Sequence, residues 1–138
     1  MALVRFGVSL ERELLATFDV LCRERKYPNR SEAIRDLIRD ALVKRQWSGA
    51  KGSVSAVITL VYDHHKRELL DKLTGIQHDH QHTIIASQHI HLDHDNCLEV
   101  IVARGVAKEV SGLASKLRST KGVKHGELVM TTTGEGIS

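Results

Sequence analysis

The sequence predicts an α+β chain of two units. A strand and two helices fill residues 1–48, and a ferredoxin-like βαββαβ domain fills residues 54–131. Three observations carry this. Residues 2–10, ALVRFGVSL, alternate apolar and polar, and two stretches of helical periodicity follow them. The small residues of WSGAKGS, Trp47 to Ser53, then form a linker whose core is 49–53. Beyond it the pattern runs strand, helix, strand, strand, helix, strand, which is the split βαβ order.

In the first unit Val4, Phe6, Val8 and Leu10 fall on one face of a strand, with Arg5, Gly7 and Ser9 on the other. Ser9 is placed to cap a helix over 11–25, whose apolar positions are Leu14, Leu15, Phe18, Leu21 and Cys22. Tyr27-Pro28-Asn29 breaks that helix. Asn29 with Glu32 resembles a capping box. It opens a second helix over 30–46, with Ala33, Ile34, Leu37, Ile38, Ala41 and Leu42 on its apolar face.

A single strand in fifty residues leaves its backbone groups unpaired, and so short a unit buries little surface. A two-fold dimer resolves both difficulties: strands of two chains pair antiparallel over four helices. The outer face of that ribbon presents Arg5, Gly7 and Ser9 twice. A two-stranded ribbon fits the DNA major groove, where arginine reads guanine. The start of the second helix, at Asn29, Arg30 and Ser31, suits a phosphate. Charge agrees mildly. Residues 1–50 hold ten Lys/Arg and seven Asp/Glu, a net +3, and the remaining residues hold ten of each.

In the second unit the strands are expected at 54–62, 83–92, 97–103 and 123–131, and the helices at 64–79 and 106–119. The first helix turns Leu69, Leu70, Leu73 and Ile76 inward; the second turns Val110, Leu113, Ala114 and Leu117 inward. The tail, 132–138, is expected to be flexible.

The chemistry concentrates in QHDHQHTIIASQHIHLDHDNCLE, residues 77–99, which carries His78, His80, His82, His89, His91, His94 and Cys97. Imidazole and thiolate hold borderline transition metals. His89 and His91 are two apart on a strand and share a face. A three-residue loop, Asp93 to Asp95, would set Cys97 opposite His91 and on that same face; a two-residue loop would not. Ile84, Ala86, Ile90 and Leu92 occupy the other face. That face must meet the core, so His89 and His91 are expected to point away from the subunit's own core and helices, and a fourth ligand such as His78 then comes more easily from another subunit. For His80, His82 and His94 the plain reading is a solvated surface.

Composition excludes other classes. No run of 18 apolar residues is present, so no membrane is expected as a partner. The charged N-terminus lacks the apolar stretch of a secretory leader. Two cysteines make no disulfide framework, and a cytoplasmic setting follows.

Strand, helix, turn and helix carrying YPNRSEAIRDLIRDAL resembles the ribbon-helix-helix repressors. Together with QHDHQHTIIASQHIHLDHDNCLEV, it resembles the NikR nickel-responsive transcriptional regulators over nearly the whole chain. The resemblance implies an ACT-like second domain that assembles a homotetramer, a dimer of dimers, binding a palindromic double-stranded operator. It implies one Ni(II) per subunit, held by His89, His91 and Cys97 of one chain and His78 of another. Gln77, Glu99 and Tyr62 match positions around that site, where hydrogen bonds orient the imidazoles. Glu32 and Asp36 match a site for a second cation such as potassium. Lys66 and Arg67 match positions that meet DNA phosphates. One departure stands out: the family's outer ribbon face reads Arg-x-Thr-x-Thr or Ser, and here it is Arg5, Gly7, Ser9. Glycine removes a base contact, so altered operator specificity, or a greater role for flanking phosphate contacts, is expected.

Two classes of function compete. The first is a nickel-gated repressor of nickel uptake and homeostasis genes. The second is a metal store, chaperone or hydrolytic metalloenzyme without operator-specific DNA binding. A closed four-ligand site and the absence of a nucleophile motif argue against an enzyme. An amino-acid sensor of the ACT type is a third, weaker reading.

Overall fold

The structure is a computed structural model that describes residues 2–49 and 52–138. The chain divides into two compact units, Met1–Ala41 and Leu42–Ser138. Among the described residues no helix is long and apolar enough to cross a membrane.

The first unit holds α1 (Arg12–Glu24) and most of α2 (Arg30–Trp47). Residues 2–10 form no strand in the single chain. Their apolar side is bare, with Phe6 70% and Val8 60% exposed. An alternating segment with no partner in its own chain has nothing to complete its ladder. The expected Ser9 cap is not made. Extended backbone continues to Glu11, whose carbonyl accepts the first helical bond from Leu15 at 3.0 Å. Ser9 is therefore two residues too early. At the other end Lys26 takes a left-handed φ of 59°, and Tyr27 N–H reaches back to the Cys22 carbonyl at 2.9 Å, a Schellman-type stop. The Asn29 cap is present: its Oδ1 accepts from Glu32 N–H at 2.9 Å. Glu32 does not return the bond, because its carboxylate pairs with Arg35. Only Cys22 and Ala33 are buried in the two helices. An apolar cleft lined by Phe6, Leu14, Phe18, Ile34, Leu37 and Ile38 stays open.

The second unit contains β1 (Val54–Asp63), α3 (Arg67–Asp79), β2 (Ile84–His91), β3 (Asn96–Gly105), α4 (Ala107–Arg118) and β4 (Val123–Met130). The sheet is antiparallel in the order β2-β3-β1-β4. Helix α3 starts three residues later than expected. The strand runs on to Asp63, and its carboxylate accepts His65 N–H at 2.9 Å, holding His64 and His65 in a turn. One sheet face carries Ile58, Leu60, Tyr62, Cys97 and Ile101 into a core with Leu69 and Leu73 of α3 and Leu113 and Leu117 of α4. The opposite face is left with Ile90 and Val129 exposed.

The linker and tail also differ from expectation. Trp47 closes α2 and packs on Val54, Ala56, Ala107 and Val110; residues 50 and 51 of the expected linker lie outside the described residues. The tail has no regular secondary structure but is not free. Thr131 N–H bonds to the Ser55 carbonyl at 2.8 Å, and the Ser55 hydroxyl bonds to the Thr132 carbonyl at 2.5 Å.

Candidate metal centre

The β2–β3 hairpin sets the site. Its register pairs His91 with Cys97 and His89 with Glu99. Leu92 N–H reaches the Asn96 carbonyl at 2.9 Å, which closes a three-residue loop, Asp93–Asp95. Asp93 Oδ1 accepts from Asp95 N–H at 2.9 Å, Asn96 N–H at 2.8 Å and the Asn96 side-chain amide at 3.1 Å. These donors, the Asn96 amide foremost, hold the Asp93 carboxyl below its ordinary range. The odd loop puts the thiol and both imidazoles on one face, as the sequence required.

That face is not the one expected. Cys97 and Glu99 are buried on the helix-covered side of the sheet, in line with Tyr62 and Leu60 of β1. His89 and His91 therefore share the core face instead of turning away from it. The cause is a bulge between Ile84 and Ala86. One extra residue reverses the alternation, so Ile84 packs on the core while Ile90 and Leu92 lie on the exposed side.

Around the hairpin a buried polar network forms. Tyr62 O–H donates to Glu99 Oε1 at 2.6 Å, and the Gln77 amide donates to Glu99 Oε2 at 2.8 Å. Glu99 is 1% exposed. His89 Nε2 stands 3.4 Å from Glu99 Oε2, and His89 Nδ1 stands 4.0 Å from Cys97 Sγ. Burial, reinforced by the Glu99 carboxylate, raises the Tyr62 phenol well above its ordinary range, so it stays a donor. The three residues Gln77, Tyr62 and Glu99 are thus brought together beside the donors.

His91 lies against His64, the rings stacked at 4.3 Å and 6°. His64 Nε2 is buried with no hydrogen-bond partner. Sequence reasoning passed over His64, having placed it inside a helix. The signal was available: a His-His pair directly after the strand that carries Tyr62. His78 sits on the exposed C-terminal end of α3. Among the described residues no group of three or more His, Cys, Asp or Glu is arranged to hold a metal ion within one chain. His80 bonds to the Ile76 carbonyl at 2.8 Å, His82 is 4.0 Å from Glu109, and the His94 ring lies 5.1 Å from that of His65, tilted at 50°.

The other expected residues fare variously. Arg30 is engaged by Asp19 through two bonds of 2.9 and 2.8 Å, a strut between α1 and α2. Asn29 is spent on its cap. Arg5, Gly7, Ser9, Ser31, Lys66 and Arg67 are exposed. Glu32 pairs with Arg35, and Asp36 accepts the Tyr27 hydroxyl.

A thiol with imidazoles is a donor set for nickel, copper or zinc, and the buried Cys97 beside His89 supplies it. Comparisons with known proteins agree. Residues 55–131 match the family described as the NikR C-terminal nickel-binding domain. Residues 4–45 match the ribbon-helix-helix proteins of the copG family. Relatives from Nitratidesulfovibrio vulgaris strain DP4 and Solibacter usitatus are each 57% identical, over 98% and 96% of this chain and 97% and 95% of their own lengths; both carry the name "Putative nickel-responsive regulator". An uncharacterized protein of Thermotoga maritima has a similar fold, with a TM-score of 0.52 at 14% identity over 57% of this chain and 98% of its own.

A ribbon-helix-helix unit joined to a nickel-binding ACT-like domain defines a metal-responsive DNA-binding regulator, not an enzyme. With relatives this similar over nearly its full length, the chain belongs to the NikR family of nickel-responsive regulators.

Proposed function

We propose that this protein is a cytoplasmic repressor of nickel uptake and homeostasis genes, working as a homotetramer on a palindromic operator. In this reading each subunit binds one Ni(II) through His89, His91 and Cys97, and His78 of a neighbouring copy completes the set. The observation that carries it is the hairpin register, which sets His91 opposite Cys97 while His78 is exposed at the end of α3. Three donors on one chain and the fourth at a surface make metal binding an assembly event.

The residues divide the work. Glu99 accepts from Tyr62 and Gln77 and stands against His89; it fixes the imidazole and ties α3, just before His78, to the strand. Bound nickel supplies the cross-link between subunits. The open cleft of the first unit and its unpaired residues 2–10 fit a second chain, whose ribbon then offers Arg5, Gly7 and Ser9 twice. Ligand binding shifts the tetramer only by its preference for the DNA-competent arrangement. A potassium ion at Glu32 and Asp36 would have to replace the partners Arg35 and Tyr27.

A nickel titration by absorption spectroscopy tests this. One equivalent per chain, with a thiolate-to-metal band lost in Cys97→Ala and in His78→Ala, is expected. Mixing the two variants restores part of the band, because some sites then draw intact ligands from different chains. No recovery on mixing would place all four ligands on one chain; several weak equivalents without thiolate character would indicate a store.

A further inference from the structure

Trp47 is the chain's single tryptophan, and it is the last residue of α2, within the second unit. Its indole packs on the cluster of Val54, Ala56, Ala107 and Val110. Its Nε1–H donates to the Thr131 carbonyl at 3.1 Å. One residue earlier, the Gln46 amide donates to the Glu135 carbonyl at 3.1 Å. The tail is shaped to receive them. Gly134 N–H bonds to the Thr132 hydroxyl at 3.1 Å, Glu135 N–H to the Thr133 hydroxyl at 3.4 Å, and Gly134 and Gly136 take left-handed φ values of 91° and 76°. Such φ values favour glycine. Thr131 and Thr132 are in turn bonded to Ser55 on β1.

We infer that residues 131–135 form a clasp that pins the last turn of α2 to the edge of the metal domain, and that Trp47 and Gln46 are positioning residues for nickel-dependent DNA binding. This rests on the regulator reading above. Helix α2 is one continuous helix from Arg30, the residue beside its Asn29 cap, to Trp47. A regulator must convey the state of its metal domain to its DNA-binding helix, and an unpinned helix end would lose that information to local fraying. The clasp is also marginal. It consists of few bonds, and Gln46 Oε1 is buried with no acceptor use, a cost that keeps it poised to open.

The test uses the full chain, a chain ending at Met130, and Trp47→Phe, which keeps an aromatic ring and removes the N–H. Nickel binding is followed by the absorption band. DNA binding is followed on a duplex selected from random sequence by the nickel-loaded full chain. Truncation is expected to red-shift the Trp47 emission and raise its quenching by acrylamide. It should weaken nickel-dependent DNA binding at least tenfold while nickel stoichiometry stays at one per chain. Trp47→Phe should lose about three- to tenfold in DNA affinity, the equivalent of one hydrogen bond. If truncation leaves the emission unmoved, or leaves DNA affinity unchanged, the clasp is overturned. If the nickel-loaded full chain selects no duplex at all, the regulator reading falls with it, and the emission change then reports only a structural contact.

Discussion

Replacing Tyr62 with phenylalanine isolates one bond of the buried network. The ring and its volume stay, so no cavity forms. What is lost is the 2.6 Å bond from the hydroxyl to Glu99 Oε1. A hydrogen bond to a charged group contributes about 1.5–3 kcal/mol. Glu99 is 1% exposed, so water does not replace the donor. A loss of about 2 kcal/mol is therefore expected in the metal-free protein. With a urea slope of about 1–3 kcal/mol per molar, the midpoint falls by roughly 1 M. The measurement is made with chelator present and at one fixed subunit concentration, because association adds to apparent stability. In a Glu99→Leu background the same change should cost little, which ties the loss to this pair. Nickel affinity should fall about 10- to 100-fold, as for other partners that orient a ligating imidazole. A cost below about 0.5 kcal/mol with nickel affinity unchanged would refute the claim that Tyr62 holds Glu99 and, through it, His89.

Three further outcomes follow from the geometry. A Cβ on Gly126 would meet Arg118 Cγ at 2.7 Å, Leu60 Cδ2 at 3.1 Å and the Thr59 carbonyl at 3.3 Å; Gly126→Ala should destabilise by about 1–3 kcal/mol in thermal unfolding, and Arg118→Ala should rescue only part of that, since the Thr59 carbonyl cannot move away. Gly7 has open space around it, so Gly7→Thr should leave stability within about 0.5 kcal/mol and nickel binding intact while changing the sequences recovered in a DNA selection. Asp93 has its carboxyl held below the ordinary range. Its stabilisation of the hairpin is complete above the ordinary carboxylate value and is lost as pH falls through the lowered one; the Asp95 and Asn96 amide resonances should shift only in acid below about pH 4, and identical shifts in Asp93→Asn would disprove that source.

The hairpin was legible because its chemistry is local. The spacing of His89, His91 and Cys97, with Asp93 and Asn96 between, leaves one register that gathers the donors, and the fold adopts it. The facing of that hairpin was not legible. It turns on a bulge at Ile84–Ala86, and an extra residue in an apolar run looks like any other residue. By parity Ile84 and Ile90 share a side, and the bulge separates them. Ser9 failed as a cap for a related reason: Glu11, with no capping bond of its own, took the position because the extended segment runs longer than its alternation indicates. The tail escaped notice because Thr131–Glu135 is held by backbone carbonyls and ST-turns, and its partners Gln46 and Trp47 lie more than eighty positions away.

The place of β2 in the sheet order has a kinetic consequence. It is an outer strand, bonded on one side only, to β3. Two of the proposed ligands, His89 and His91, ride on it, while Cys97 and Glu99 are buried one strand further in. Outer strands peel away at a fraction of the free energy needed to unfold a domain. On the proposed ligand set, release of a bound ion would not wait for global unfolding. Its dwell time would follow how often this strand lifts, and Ile90 and Gln88, which lie on β2 outside that set, would lengthen or shorten it.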